Sequence, residues 1–265
     1  MRTFYYVHTG HRIGLDRFRR AAAIISYLGD DELTLLSSDF RIAQIARDFG
    51  VKNSVGLDVV RNIPQIAHHG DKLVFDSDEA NPIMLEDMQQ YFFPFIHVAN
   101  DTIAVADRYF EKREKTVKLS YFFGDDDYEK DLAKNLEDLK SLNVHLQLGF
   151  YYFLDYEDML REEFTNCFDF EEYDEMILNS EVLITSSPQA VLESLASGAK
   201  PIYIQREDYT KDMNEIFKEL GVPCLESFDI NQINVILKTI NDIKYVTITQ
   251  NDNKMSKIIK ENLNL

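Results

Sequence analysis

The residues best suited to chemistry in this chain stand in two short loops, each directly after an apolar run. The first is His8-Thr9-Gly10-His11-Arg12-Ile13-Gly14-Leu15-Asp16-Arg17. Gly10 and Gly14 let a backbone approach a ligand closely, and Arg12 and Arg17 offer forked donors to phosphate or carboxylate. His11 is able to take a proton from water or a sugar hydroxyl near neutral pH, with Asp16 as the alternative base. The second loop is Ser186-Ser187-Pro188, followed by Gln189 and Glu193. Ser187 reads as an N-cap with Pro188 at the first helical position. Free backbone N–H groups and the helix dipole then make an anion site. Glu193 lies one and a half turns further on, within reach of a sugar hydroxyl. Each loop also has a plainer reading. The first is then a polar loop ending in Asp16 as helix cap, and the second an ordinary strand–helix unit with a well-capped helix.

Positioning such loops takes parallel sheets, and the pattern of the chain supplies them. Strands are expected at Thr3–His8, Leu33–Leu36, Lys72–Phe75 and Phe95–Ala99, with a further short one at Ile103–Ala106. Helical patterns over Asp16–Leu28, Phe40–Phe49 and Met84–Tyr91 separate them. The charged run Glu111–Lys115 reads as a linker. Beyond it, strands at Val117–Phe123, Val144–Leu148, Cys167–Phe170, Val182–Thr185, Pro201–Ile204 and Pro223–Leu225 alternate with helices over Tyr128–Leu142, Glu157–Phe164, Glu172–Asn179, Pro188–Ser197 and Lys211–Leu220. Helices fill much of the remainder to Leu265. Strands separated by helical patterns of this length imply parallel sheets covered on both faces. The expected fold class is α/β, two Rossmann-like parallel-sheet domains. The expected domains are residues 1–113 and residues 114–265, the latter with the C-terminal helices. Ligands in such sheets sit outside the carboxyl ends of the strands.

The stretch Ser-Ser-x-x-x-Val-x-Glu-Ser-Leu-Ala-x-Gly-Ala-x-Pro-Ile from Ser186 resembles the nucleotide-binding segment of GT-B glycosyltransferases of the MurG type. It is nearer still to the UDP-sugar hydrolase of pseudaminic acid synthesis (PseG) and its spore-coat relatives. The resemblance implies a GT-B-like arrangement, with residues 1–113 on the acceptor or sugar side and 114–265 on the nucleotide side, in which Glu193 holds the ribose hydroxyls of UDP and Ser186, Ser187 and Gln189 face the diphosphate. It also implies a phosphate-facing turn at Gly124 and a base-binding turn at Cys167–Phe170, with Phe170 against the base. In the first loop, Gly14 and Arg20 match the hydrolase's Gly-x-Gly-His-x-x-Arg, while Asp16-Arg17 stands in place of its Gly-His. The family's histidine is thus unmatched. Asp16 or His11 is left as base, and Arg17 as a group that holds phosphate or a sugar carboxylate.

Other residues carry weaker signals. Asp76-Ser77-Asp78-Glu79 follows a strand and so suits the acceptor side of a cleft. Asp125-Asp126-Asp127 reads as the acidic first turn of a helix, with a Mg²⁺ site as the weaker reading. His68-His69 reads as an exposed turn, His97 as a hydrogen-bonded core residue, and Arg19 and Arg20 as solvated helix residues. The run Phe150–Phe153 is either cleft lining or, by a small margin, a contact with another subunit.

Composition limits the function. Lys and Arg number 28 against 46 Asp and Glu, a formal net charge of −18. Nucleic acid and anionic membranes repel such a surface. Cys167 and Cys224 have no metal-site spacing and read as small core residues of a reduced protein. Without an apolar leader or a stretch of membrane-spanning length, a cytoplasmic protein is expected. No cofactor is called for. The expected partners are a nucleotide sugar and a hydroxyl acceptor, with a homo-oligomer left open. Three classes stay open: an enzyme of surface-glycan synthesis that transfers or hydrolyses a UDP-sugar, a catalytically silent binder of the same ligand, and an interaction protein that keeps only the fold.

Overall fold

A computed structural model describes residues 1–265. The chain divides into two units, Met1–Ala106 with Asn251–Leu265, and Asp107–Gln250. The terminal segment, counted with the second domain from sequence, lies with the first.

The first unit runs β1 (Thr3–Val7), α1 (Asp16–Leu28), β2 (Thr34–Ser37), α2 (Phe40–Ile45), β3 (Asn53–Gly56), β4 (Lys72–Asp76), α3 (Pro82–Tyr91) and β5 (Phe95–His97). Its five strands are all parallel, in the order β3-β2-β1-β4-β5. Every residue of β1 is buried, as a central strand covered on both faces requires. Phe4, Tyr6, Leu36, Leu73 and Phe75 build the core on one side. α1 presents Phe18, Ala21, Ile24, Ile25 and Leu28 inward and ends at Gly29 in the left-handed conformation. Truncating Phe18 or Ile24, both fully buried, removes about 2–5 kcal/mol. The polar strand β3 escapes sequence reading because Asn53-Ser54-Val55-Gly56 sits at the sheet edge and lacks an apolar run. Residues 103–106, expected as a strand, pair with no other strand.

The second unit opens with a 3₁₀ turn at Asp107–Phe110. It continues β6 (Val117–Phe122), α4 (Asp131–Lys134), α5 (Leu136–Ser141), β7 (His145–Gln147), α6 (Leu154–Glu163), β8 (Cys167–Phe168), α7 (Tyr173–Asn179), β9 (Ser180–Thr185), α8 (Pro188–Ala196), β10 (Lys200–Ile204), α9 (Asn214–Glu219), β11 (Cys224–Leu225) and α10 (Ile230–Thr239). The six parallel strands run β11-β10-β9-β6-β7-β8. Leu146, Leu148, Val182, Ile184, Ile202 and Ile204 form the centre of its core. The helix expected over Tyr128–Leu142 is broken in two, with Lys130 in the left-handed region at φ 55° just before α4. α11 (Lys254–Leu263) returns to the first unit and packs on α1. No helix is long and apolar enough to cross a membrane.

Three burial expectations need correction. Arg19 and Arg20 are buried rather than solvated, because Arg20 has a buried carboxylate to meet. Cys224 is exposed, since β11 is an edge strand, and Cys167 is half-buried. His97 is exposed and has the carbonyl of Ser77 within 3.1 Å of its Nε2.

Candidate functional site

Each sheet reverses its strand order once, between β1 and β4 in the first unit and between β6 and β9 in the second. In parallel α/β sheets, ligand crevices open outside the carboxyl ends of the strands at such a reversal. Both loops singled out from sequence emerge at these points.

In the first unit, β1 leads into His8, while β4 ends at Asp76 and continues through Ser77, Asp78 and Glu79. The register Val7↔Asp76 brings the two strand ends side by side. His8 Nδ1 lies 2.9 Å from Asp78 Oδ1, and Arg17 Nη2 donates to Asp78 Oδ2 at 2.9 Å. The hydrogen bond to His8 first, and then the charge of Arg17, hold the Asp78 carboxyl well below the usual carboxylate range. With Nδ1 turned to a carboxylate, Nε2 is the nitrogen left to accept a proton. It lies 3.9 Å from Glu79 Oε1, and Glu79 in turn accepts from Tyr6 and Ser77. Beneath this layer Arg20 makes a two-point ion pair with the buried Asp76, which also accepts from Tyr5 at 3.0 Å.

The residues expected here are partly drawn together. Asp76 is the buried anchor of Arg20, so it is not available to line an acceptor site. Arg17 spends its guanidinium on Asp78 and Asn100. Asp16 is the first residue of α1 rather than its cap, which is Leu15, and its charge bears on Arg20 one turn on. Gly10 and Gly14 close a tight loop, with Gly14 N donating to Gly10 O at 2.9 Å. Gly14 needs its φ of 75°, which other side chains adopt at a cost. His11 is half-buried within that loop. His8 and Asp78, the most base-like arrangement of the unit, stood in segments singled out from sequence, but neither was assigned a role as base. The signal was a histidine directly after a strand, but its partner depends on strand pairing.

In the second unit, β6 ends at Phe122 and leads to Gly124, and β9 leads to Ser186 and Ser187. Ser187 Oγ accepts from Ala190 N at 3.1 Å, the capping bond expected from sequence. Ser186 N donates to Phe122 O, tying the two strand ends together. The Ser186 hydroxyl is 1 % exposed and has no hydrogen-bond partner. After the next strand, β10, Gln205 has the same character. Its amide nitrogen serves two backbone carbonyls while its Oε1 is buried and unmatched. Buried polar atoms are rarely left so. Arg206 follows, sandwiched 4.5 Å from the rings of both Phe123 and Tyr209 and held by Asp208 and the Asp126 carbonyl. Gly124 packs under it, and a Cβ there would stand 3.2 Å from Arg206 Nη1. Gln205 and Arg206 were also missed, though both directly follow a strand.

Asp127 caps the chain entering α4 through the N–H groups of Asp131 and Leu132. Burial pushes its carboxyl above the usual range. This is the helix-start reading of the acidic run, and no group of three His, Cys, Asp or Glu side chains is disposed to hold a metal ion.

Comparison with known proteins speaks to the fold. No family model matches the chain, and no curated protein matches it. Among solved structures, MurG of Acinetobacter baumannii aligns with TM-score 0.56 and 10% identity, over 98% of this chain and 100% of that one. HepE (Alr3699) of Anabaena, in complex with UDP-glucose, aligns with TM-score 0.59 and 10% identity, over 100% and 96%. The glycosyltransferase SsfS6 of Streptomyces sp. SF2575, complexed with thymidine diphosphate, gives 0.52 and 10%, over 100% and 96%. The chain shares their fold. The expected class, α/β with two parallel-sheet Rossmann-like domains of GT-B type, is the observed one.

Two further features of the second unit bear on the candidate site. A groove of about 400 Å³ opens beyond β7 and β8, lined by Gly149, Phe150, Glu157, Arg161, Phe170 and Glu171 among others. Phe150 and Phe170 stand 4.8 Å apart, centroid to centroid, on its wall. Gly149 is required there, since a Cβ would lie 2.6 Å from the Gly124 carbonyl. The aromatic run divides: Tyr151 and Tyr152 are buried, Phe150 lines the groove, and Phe153 is 61% exposed. Glu193 is 1 % exposed. Its Oε2 accepts from Tyr173 at 2.6 Å and its Oε1 from Gln189 at 2.9 Å. The structure therefore joins Gln189 to Glu193 directly, which sequence reading had not foreseen.

Proposed function

We propose that this protein uses a nucleotide sugar, with UDP as the nucleotide, to transfer a glycosyl group to a hydroxyl acceptor in surface-glycan synthesis. The observation that carries the reading is the Ser186 hydroxyl, buried and unpartnered at the β6–β9 reversal beside the capped start of α8. A diphosphate oxygen would satisfy that hydroxyl at the positive end of the α8 dipole. Phe150 and Phe170 offer the base two apolar faces. Glu193 is the ribose ligand in the reading taken from the family resemblance.

The first unit would supply the proton acceptor. His8 Nε2 takes the proton of the acceptor hydroxyl while Asp78 steadies the imidazolium that forms. The acceptor oxygen bonds to the anomeric carbon, and the bond to the diphosphate breaks with its electron pair on the phosphate oxygen. Water in place of the acceptor would make the same step a hydrolysis. Asp16 and His11 are the alternative bases.

Isothermal titration with UDP and a UDP-release assay test the reading. Ser186→Ala is expected to leave the melting temperature of the free protein unchanged or raised, because an unmatched buried hydroxyl gives the fold nothing. UDP binding should weaken by about 1 kcal/mol or more. Absence of uridine nucleotide binding by the wild type would overturn the UDP reading. Binding with no turnover would leave the silent binder.

A further inference from the structure

We propose that the polar cluster running from the buried Glu193, Tyr173 and Tyr109 to the half-exposed Asp174 and Arg108 couples α8 to the 3₁₀ turn Asp107–Phe110, so that a ligand bonding to Glu193 loosens that turn. The inference rests on reading α8 as the nucleotide-binding helix.

The links are direct. Glu193 accepts from Tyr173 and Gln189 with both oxygens buried. Tyr173 and Asp174 are consecutive at the start of α7, so a shift of one moves the other. Asp174 accepts from the Tyr109 hydroxyl and is ion-paired with Arg108 Nε at 2.8 Å. The turn carrying Arg108 and Tyr109 packs on both α7 and α8. Tyr109 is fully buried, and burial first, then the nearby Glu193 charge, raise its phenol well above the ordinary value. It therefore stays a neutral donor and keeps Asp174 as its acceptor.

Ribose hydroxyls cannot reach Glu193 while it is closed in this way. One of its two donors must give way, and a displaced Tyr173 hydroxyl is stranded in a buried site. The consequence runs through α7 to Asp174 and then to the turn at the head of the second unit. Tyr173 and Tyr109 are positioning residues in this scheme and make no contact with the reacting atoms. Ligand binding would then carry an unusual signature, protection at α8 with loss of protection some 80 residues earlier in the chain, between Tyr109 and Gln189.

Hydrogen–deuterium exchange on the full chain tests this, with wild type, Tyr173→Phe, Glu193→Gln and Tyr109→Phe, each with and without UDP. Without ligand, amides at 107–112 should exchange at least fivefold faster in Tyr173→Phe and Glu193→Gln than in wild type. With UDP, the wild type should slow at the start of α8 and speed at 107–112, and Tyr109→Phe should keep the first response and lose the second. Unchanged exchange at 107–112 in both ligand-free variants would overturn the coupling, as would slowed or unchanged exchange there in UDP-bound wild type. If UDP alters no part of the wild type, the nucleotide reading fails, and the ligand-free variants alone decide whether the cluster couples the two segments.

Discussion

The two strand-order reversals are built from opposite materials. At β1–β4 the polar groups are charged and satisfy one another: Arg20 with Asp76, and Arg17 and His8 with Asp78. At β6–β9 and the neighbouring end of β10 charged groups such as Arg206 and Asp208 also pair, but the neutral Ser186 and Gln205 keep buried atoms without partners. A cluster that is complete without ligand is preorganised, which suits a group that must hold one protonation geometry. A cluster that is incomplete without ligand waits for hydrogen bonds from outside, which suits binding. On the proposed function, the first arrangement suits proton transfer and the second suits nucleotide binding.

The largest effect should come from breaking the paired side. Asp76→Ala leaves Arg20 buried with its charge uncompensated, and such losses cost about 3–5 kcal/mol. Chemical denaturation of the first unit should show it, whereas Ser186→Ala in the second should show no loss. Comparable losses in both would erase the contrast. His8→Ala comes next. A lost general base lowers the rate by about 10²–10⁴-fold, so UDP release should fall by that order with UDP affinity unchanged. Asp78→Asn should lower the rate less. If instead His11→Ala or Asp16→Asn removes the activity and His8→Ala does not, the paired cluster is structural.

How far this was readable from sequence follows from the range of the interactions. The Ser187 cap and the strand–helix alternation are local, and they stand where the residue types put them. The Arg20–Asp76 pair spans 56 residues, and the His8–Asp78 pair exists because β1 and β4 are neighbours although two strands intervene in sequence. Apart from its match to the hydrolase pattern, nothing near Arg20 distinguishes it from a solvated arginine on a helix. His11 drew attention by its neighbouring glycines, while His8, one step past a strand, needed the sheet order to gain its partner. The unmatched state of Ser186 and Gln205 is likewise a property of packing, invisible in composition.

Ser187 sharpens the contrast within the second unit, since it differs from Ser186 by having its bond. Ser187→Ala should cost about 1 kcal/mol of stability through the lost cap, where Ser186→Ala costs none. Thermal melts of the two variants decide it. Equal effects would mean that the Ser186 hydroxyl has a role in the free protein after all.

The smallest effect concerns the one half-buried cation of the second unit that lacks a carboxylate. Lys115 donates to the Leu178 carbonyl and to Ser197 Oγ, and burial alone brings its ammonium down to about 8 from the ordinary 10.5. Between those two values the unfolded chain holds this proton and the folded chain has released it. The unfolded state therefore binds more protons, and the contribution of Lys115 to stability rises as pH rises through that window. Asp78 in the first unit behaves oppositely in range: its lowered carboxyl supports the fold above the ordinary carboxylate value and loses that support as pH falls below it. Melting temperatures followed from pH 7.5 to 10.5 should show a small upward component in wild type that Lys115→Met removes. Both proteins following the same pH curve would mean that the lysine is hydrated enough to keep its usual proton affinity.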